Sequence, residues 1–336
     1  MKTNITQWTP NQVWNHINRL TLFAVVLLLT SFNALATEKD TDGKKNKGHY
    51  PTLHKTVEVN GVEIFYREAG NKNKPTILLL HGYPTSSHMF RNLIADLSDK
   101  YHLLAPDYPG YGRSEQPPMS EFAYTFDNMA NIVEGFIEAM QVDKFSIYLM
   151  DYGAPIGYRI AHKYPERVQS LIVQNGNAYV EGMTEFWDPL RKYWKDRSSE
   201  NGKALEPFHQ IGGLQWQYLH GVQDSSKISP DNWYVDLQHL TRPENNEIQL
   251  AMFYDYQNNV KLYPQWQAYF RAYQPPTLIV WGKNDHIFPA SGAHPYKKDI
   301  RKVDFHLLNT GHFALEEEGD TIAGYIDVFM RKNKIR

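Results

Sequence analysis

Two short runs, Ile77-Leu-Leu-Leu80 and Leu278-Ile-Val-Trp281, are apolar at every position and end in glycine-bearing turns. A strand with one face in water alternates apolar and polar residues, so a run with no polar position must be covered on both sides. Parallel sheets sandwiched between helices meet that condition. Further β-rich runs lie at Thr56–Val59, Glu63–Glu68, Thr76–Leu80, His102–Pro106, Phe145–Met150, Val168–Gln174, Thr277–Trp281 and Asp304–Leu308. Amphipathic helical patterns fall between them at Met89–Leu97, Phe126–Met140, Ala154–Lys163 and Asp320–Arg331. The alternation predicts an α/β fold with a mostly parallel, doubly wound sheet.

The rhythm stops once. Residues 178–274 hold no buried strand pattern but are crowded with aromatics, among them Trp187, Tyr193, Trp194, Tyr254, Tyr256 and Trp266. This reads as a helical cap inserted into a core formed by residues 51–177 and 275–336, laid over a pocket. At the other end, Lys2 and Arg19 precede the apolar run Leu20–Leu29, which closes on Ala34-Leu-Ala36. That is the pattern of a cleavable secretory signal over residues 1–36, and the run is short of the about 20 apolar residues a membrane span requires. Residues 37–50 read as a polar tether. The mature chain is expected in the periplasm or medium, with no stable membrane span after cleavage.

Composition removes several chemistries. The chain of 336 residues has no cysteine, so thiol nucleophiles, thiolate metal sites and disulfides are excluded. Its net charge of -2 gives no basic excess for nucleic acid. Fourteen histidines form no HExxH or HxH pair, and no metal site is expected.

Three patterns at strand ends carry chemistry, because α/β sheets bind ligands beyond the carboxyl ends of their strands. In the first, the strand Phe145–Met150 runs into Asp151-Tyr152-Gly153 and then a helix. This is the strand–turn–helix setting of a nucleophile elbow, with Asp at the exposed position. No G-x-S-x-G occurs in the chain. In the second, Ile77–Leu80 runs into His81-Gly82-Tyr83-Pro84, a turn able to aim the Tyr83 amide at a developing negative charge. In the third, Asp285 and His312 follow the last two strands. The order nucleophile, acid, histidine is the order of an α/β-hydrolase triad.

Together these residues resemble the α/β-hydrolase superfamily, in its epoxide hydrolase and haloalkane dehalogenase branch, from about Val57 to Arg331. His81-Gly-Tyr-Pro84, Pro106-Asp-Tyr-Pro-Gly-Tyr-Gly-Arg-Ser114, Asp151-Tyr-Gly, Gly282-Lys-Asn-Asp285 and Gly311-His312-Phe carry the resemblance. It implies an Asp nucleophile, a cap between the sixth and seventh core strands, and no cofactor. It also implies backbone oxyanion donors at Tyr83 and Tyr152, and a cap tyrosine that protonates an opening epoxide. Tyr256 matches that tyrosine best, with Tyr254 and Tyr193 as further candidates. Haloalkane dehalogenases hold the leaving halide with a Trp after the nucleophile and an Asn in the first turn, where this chain has Tyr152 and Tyr83. Leu149, two residues before Asp151, is by contrast more dehalogenase-like than the usual Gly of epoxide hydrolases. The arginine pair of fluoroacetate dehalogenases is replaced by Tyr152 and Pro155.

The resulting expectation is hydrolysis of a small apolar electrophile, most simply an epoxide, through an alkyl ester on Asp151. Carbon–halogen hydrolysis is the alternative, and a non-catalytic ligand-binding homologue is the third reading.

Overall fold

The computed structural model describes residues 50–336. The expected signal, residues 1–36, and residues 37–49 of the tether lie outside the described residues. Eight strands form one sheet: β1 (Leu53–Val59), β2 (Val62–Ala69), β3 (Thr76–Leu80), β4 (His102–Pro106), β5 (Phe145–Met150), β6 (Val168–Gln174), β7 (Thr277–Gly282) and β8 (Val303–Leu308). Their order is β1-β2-β4-β3-β5-β6-β7-β8. Strand β2 pairs antiparallel with both β1 and β4, and every other pairing is parallel. The central strands β3, β4, β5 and β7 are buried at every position, as their apolar runs require, and the polar Thr76, His102, Ser146 and Thr277 within them are hydrogen-bonded. The outer strands β1 and β8 are partly exposed.

Eight α-helices of seven residues or more are described: α1 (Arg91–Leu97), α2 (Phe126–Ala139), α3 (Gly153–Lys163), α4 (Asp188–Lys195), α5 (Ile211–Leu219), α6 (Asp231–Leu240), α7 (Asn245–Tyr273) and α8 (Ala314–Lys332). Helix α2 shows why they form. Thr125 caps its start by accepting from the Asn128 amide, and Phe126, Met129, Val133, Phe136 and Ile137 line one buried stripe. Between β6 and β7 the chain is built from helices and turns, α4 to α7 among them.

Two helix boundaries differ from the sequence reading. The pattern at Met89–Leu97 is divided into a 3₁₀ turn at Ser87–Phe90 and α1, because the Ser86 side chain caps the turn through the His88 amide. The last helix starts at Ala314 rather than Asp320, with a break at Glu318. Its acidic run looks like loop sequence, but carboxylates suit a helix N-terminus. Glu316 also forms a bidentate pair with Arg91, at 2.9 and 2.8 Å, and Glu317 accepts from the Gln223 and Asp224 amides.

Connections after β3 and β5 leave in opposite directions, since β3 is followed by β4 on one side and β5 by β6 on the other. This is the topological switch point of an open sheet, where a crevice forms. On the far flank, buried Glu68 of β2 joins four strands. It accepts from Lys55 Nζ at 2.7 Å and from His102 Nε2 at 3.0 Å, while Thr76 Oγ1 bonds His102 Nδ1 at 3.1 Å. Burial opposes the Glu68 charge, but the hydrogen bonds from Lys55 and His102, aided by Lys72, outweigh it and hold its pKa down to about 2. A carboxyl depressed on folding contributes stability above its ordinary pKa of 4.5 and loses it as pH falls toward 2. Glu68→Gln is expected to cost about 2 kcal/mol at neutral pH and little near pH 2, measured by denaturant unfolding at both.

Candidate active site

The three strand-end patterns meet at the switch point. Strands β3 and β5 pair in register, with Leu80 beside Leu149, so the turns that follow them are neighbours. Asp151 leaves β5 with φ +50, a left-handed conformation that costs strain in most residues and is best tolerated by Asn, Asp and Gly. Gly153 has no alternative at the helix start, because a Cβ there would lie 2.1 Å from the Leu80 carbonyl oxygen. Gly82 is equally constrained, since its Cβ would fall 2.4 Å from that of Asp151. The Tyr83–Pro84 peptide is cis.

Both expected amide donors point at the carboxylate. Tyr83 N and Tyr152 N donate to Asp151 Oδ1 at 2.7 and 2.6 Å. Asp151 Oδ2 lies 3.9 Å from His312 Nε2, which has no hydrogen-bond partner of its own. His312 Nδ1 donates to Asp285 Oδ2 at 2.8 Å. This fixes the tautomer and leaves Nε2 free to take a proton. Asp151, Asp285 and His312 are all buried.

Burial raises the Asp151 pKa to about 6, against the downward pull of His312 and the two amides. Burial alone would lower the His312 pKa, but the charge and hydrogen bond of Asp285 and the charge of Asp151 raise it. His81 has another role. Its Nδ1 bonds the Gly82 carbonyl at 2.9 Å and its Nε2 accepts from Tyr108 N at 3.3 Å, while burial lowers its pKa to about 4. It is a neutral hydrogen bonder within the turn.

Above Asp151 is a cavity with about 430 Å³ of empty space including its mouth, bounded by Tyr83, Tyr152 and Ile287 below and by Trp187, Phe253 and Tyr256 above. Asp151 is its sole charged lining residue. Tyr256 and Tyr152 face it with ring centroids 6.1 Å apart; the Tyr152 hydroxyl is buried without a hydrogen-bond partner, and the buried Tyr256 hydroxyl has that of Tyr263 beside it. Trp187 also lines the space, but its indole N–H donates to the Ile287 carbonyl at 2.8 Å. The Tyr83 hydroxyl is engaged as well, donating to the Phe208 carbonyl and bonded to His209 Nδ1, both at 2.8 Å.

Tyr254 and Tyr193 do not line the cavity. Tyr254 is two positions from Tyr256 on α7, about 200° around the helix, and so faces away when Tyr256 faces in. Its ring packs edge-on against Tyr193 at 5.8 Å and beneath the Arg197 guanidinium at 4.7 Å. Arg197 Nε reaches the Tyr193 hydroxyl at 3.4 Å.

Asn175 escaped the sequence reading. At φ +43 just after β6, it donates from Nδ2 to Asp285 Oδ2 at 2.8 Å and accepts from Gly282 N at 2.9 Å. Ile287 N completes the Asp285 shell at 2.7 Å. The available signal was the polar run Gln174-Asn-Gly-Asn177 at the end of an apolar strand.

A sheet of this topology with an elbow at β5 and a histidine after β8 defines an α/β hydrolase, and the chain belongs to that family. The model of the alpha/beta hydrolase fold matches residues 75–319. An uncharacterized hydrolase of Saccharomyces cerevisiae is 41% identical over 285 residues, 84% of this chain and 98% of that protein. Epoxide hydrolase 1 of Caenorhabditis elegans is 22% identical over 289 residues, 82% of this chain and 70% of that protein. Among solved structures, the haloalkane dehalogenase DatA from Agrobacterium tumefaciens superposes with a TM-score of 0.71 at 22% identity. That superposition spans 84% of this chain and 97% of that one, and shows likeness of fold.

The raised Asp151 pKa has a stability consequence. A carboxyl whose folded pKa exceeds the ordinary 3.8 destabilises the fold above about 6 and is neutral below 3.8. Asp151→Asn is expected to stabilise the protein at pH 8 by on the order of 2 kcal/mol, an advantage that vanishes near pH 3.5. Thermal unfolding at the two pH values measures it.

Proposed function

We propose that the protein hydrolyses small apolar epoxides to diols through a covalent ester on Asp151. The observation that carries this reading is the two-sided Asp151 carboxylate. One oxygen is held by two amides, and the other is free beside His312 under an apolar cavity. Asp151 Oδ2 attacks a ring carbon, the C–O bond breaks, and the departing oxygen takes the proton of the Tyr256 hydroxyl. His312 Nε2 then removes a proton from water, and the hydroxide adds to the Asp151 carboxyl carbon. The Tyr83 and Tyr152 amides stabilise the resulting oxyanion, a contribution of about 2.7–4 kcal/mol for each donor. Collapse of the adduct breaks the bond from the carboxyl carbon to the alkyl oxygen, which takes the proton held by His312 and leaves as the diol, while the proton of the new carboxyl returns to the Tyr256 phenolate and the carboxylate is restored. Asp285, fixed by Asn175 and the Ile287 amide, steadies the imidazolium.

The hydrogen-bond inventory supports an epoxide. Of the cavity's aromatic donors, the Trp187 indole and the Tyr83 hydroxyl are engaged by backbone carbonyls, whereas neither the Tyr152 hydroxyl nor that of Tyr256, which neighbours the Tyr263 hydroxyl, is committed to the backbone. A phenol can give its proton to an alkoxide as it forms. A halide leaves as a separate anion and needs donors that persist around it. The absence of any cationic lining residue disfavours carboxylate substrates. Carbon–halogen hydrolysis is the second reading, favoured by the free Tyr152 hydroxyl next to the nucleophile.

Styrene oxide is expected to give its diol, and 1-bromobutane little bromide. Efficient bromide release without epoxide turnover would reverse the two readings. Asp151→Ala should abolish turnover, and His312→Gln should trap a substrate-sized adduct on Asp151, detected by peptide mass spectrometry. Tyr256→Phe should slow formation of the adduct about 100-fold while sparing its hydrolysis. Attack requires the carboxylate, so the single-turnover alkylation rate should fall as pH drops through about 6. A flat profile from pH 5 to 8 would contradict Asp151 as the titrating nucleophile.

A further inference from the structure

Tyr256 does not meet the cavity alone. Two turns further along α7, on the same face of the helix, Tyr263 places its hydroxyl beside that of Tyr256. Both phenols are buried, and Tyr263 lies outside the cavity lining. In the resting site the hydrogen bond between them runs from Tyr256 to Tyr263, raising the pKa of the first and lowering that of the second. The other neighbour of the Tyr263 hydroxyl is Met183 Sδ at 4.0 Å, a weak acceptor. No strong acceptor therefore competes with the Tyr256 oxygen for the Tyr263 proton.

Opening an epoxide leaves Tyr256 as a phenolate in an apolar site, where burial already holds its pKa well above the ordinary range. Such an anion requires a donor. The rings packed on Tyr256 are those of Phe126, Tyr152, Trp187 and Trp194, with centroids between 4.7 and 6.4 Å away. Both indoles are engaged, Trp187 by the Ile287 carbonyl and Trp194 by that of Phe253, each at 2.8 Å. Arg159 acts on Tyr256 through its charge, while it donates to Asp127, Asn259 and the Pro155 carbonyl. Burial raises the Tyr263 pKa as well, so this hydroxyl keeps its proton and remains a donor at neutral pH.

A phenol oxygen donates one hydrogen bond and accepts others at the same time. With an epoxide bound, Tyr256 turns its proton to the substrate oxygen and accepts from Tyr263, and hydrogen bonds in such a chain strengthen one another. We infer that Tyr263 is a positioning residue that donates to the Tyr256 oxygen and stabilises the phenolate formed as the epoxide opens. The proton lost by Tyr256 goes to the departing oxygen, and Tyr263 retains its own. This inference rests on the epoxide mechanism proposed above.

Single turnovers of the full chain with styrene oxide test it. Tyr263→Phe should slow the maximal alkylation of Asp151 about tenfold, with the half-saturating concentration and the ester decay rate each within about twofold of wild type. Made in the Tyr256→Phe enzyme, the same substitution should cost less than about twofold, because the oxygen it serves is gone. A fluorotyrosine in place of Tyr263, a stronger donor of nearly the same shape, should speed alkylation and serves if the phenylalanine variant fails to fold. Wild-type alkylation in Tyr263→Phe, an equal loss with and without the Tyr256 hydroxyl, or no gain from the fluorotyrosine would overturn the inference while leaving the covalent mechanism standing. Wild-type alkylation in Tyr256→Phe would instead overturn Tyr256 as the acid, and this inference with it.

Discussion

A carboxylate buried at a left-handed turn is the constraint around which this molecule is organised. Asp151 is taken out of water at the end of β5, and the loss of hydration is offset only in part by two backbone amides on a single oxygen. Those amides come from different strands' turns, so their convergence depends on the β3–β5 pairing and on two positions where a Cβ would collide. Slippage of either strand by one residue would reverse its side chains and separate donors from acceptor. The sheet core is therefore the device that sets the geometry of the Asp151 carboxylate, in addition to being a source of stability.

Much of this was legible from the chain alone. Strands apolar at each position fixed the parallel sheet, and the central ones fall where the patterning placed them, with β3 to β6 at the predicted residues. Asp151, Asp285 and His312 were visible because each stands directly after a strand, where position along the chain determines position in space. Tyr254 and Tyr193 were not separable from Tyr256 by sequence, since rotation of α7 about its axis is set by packing against other elements. Asn175 was missed for a related reason. Its importance lies in partners more than 100 residues away, Asp285 and Gly282, which no local pattern links to it. The early start of α8 was hidden because Glu316 and Glu317 are satisfied by a distant Arg91 and by the amides of Gln223 and Asp224.

Electrostatics divide the interior into compartments. The cavity above Asp151 holds one carboxylate among aromatic and aliphatic surfaces, where a charge meets little dielectric relief except from fixed donors. Polar groups are gathered instead behind the turn, around the Arg91–Glu316 pair and Asp236, and at the far edge around Glu68. Such segregation leaves the Asp151 carboxylate in an apolar surround while the charged networks join neighbouring elements.

Tyr83 performs two unrelated jobs with two parts of one residue. Its peptide N–H holds the carboxylate, and its hydroxyl fastens the turn to Phe208 and His209 of the helical segment between β6 and β7. Every amino acid except proline brings a peptide N–H, so the amide's task does not dictate which side chain accompanies it. Exchanging the Tyr83 side chain would therefore alter what the turn fastens above the cavity and leave the amide beneath it in place.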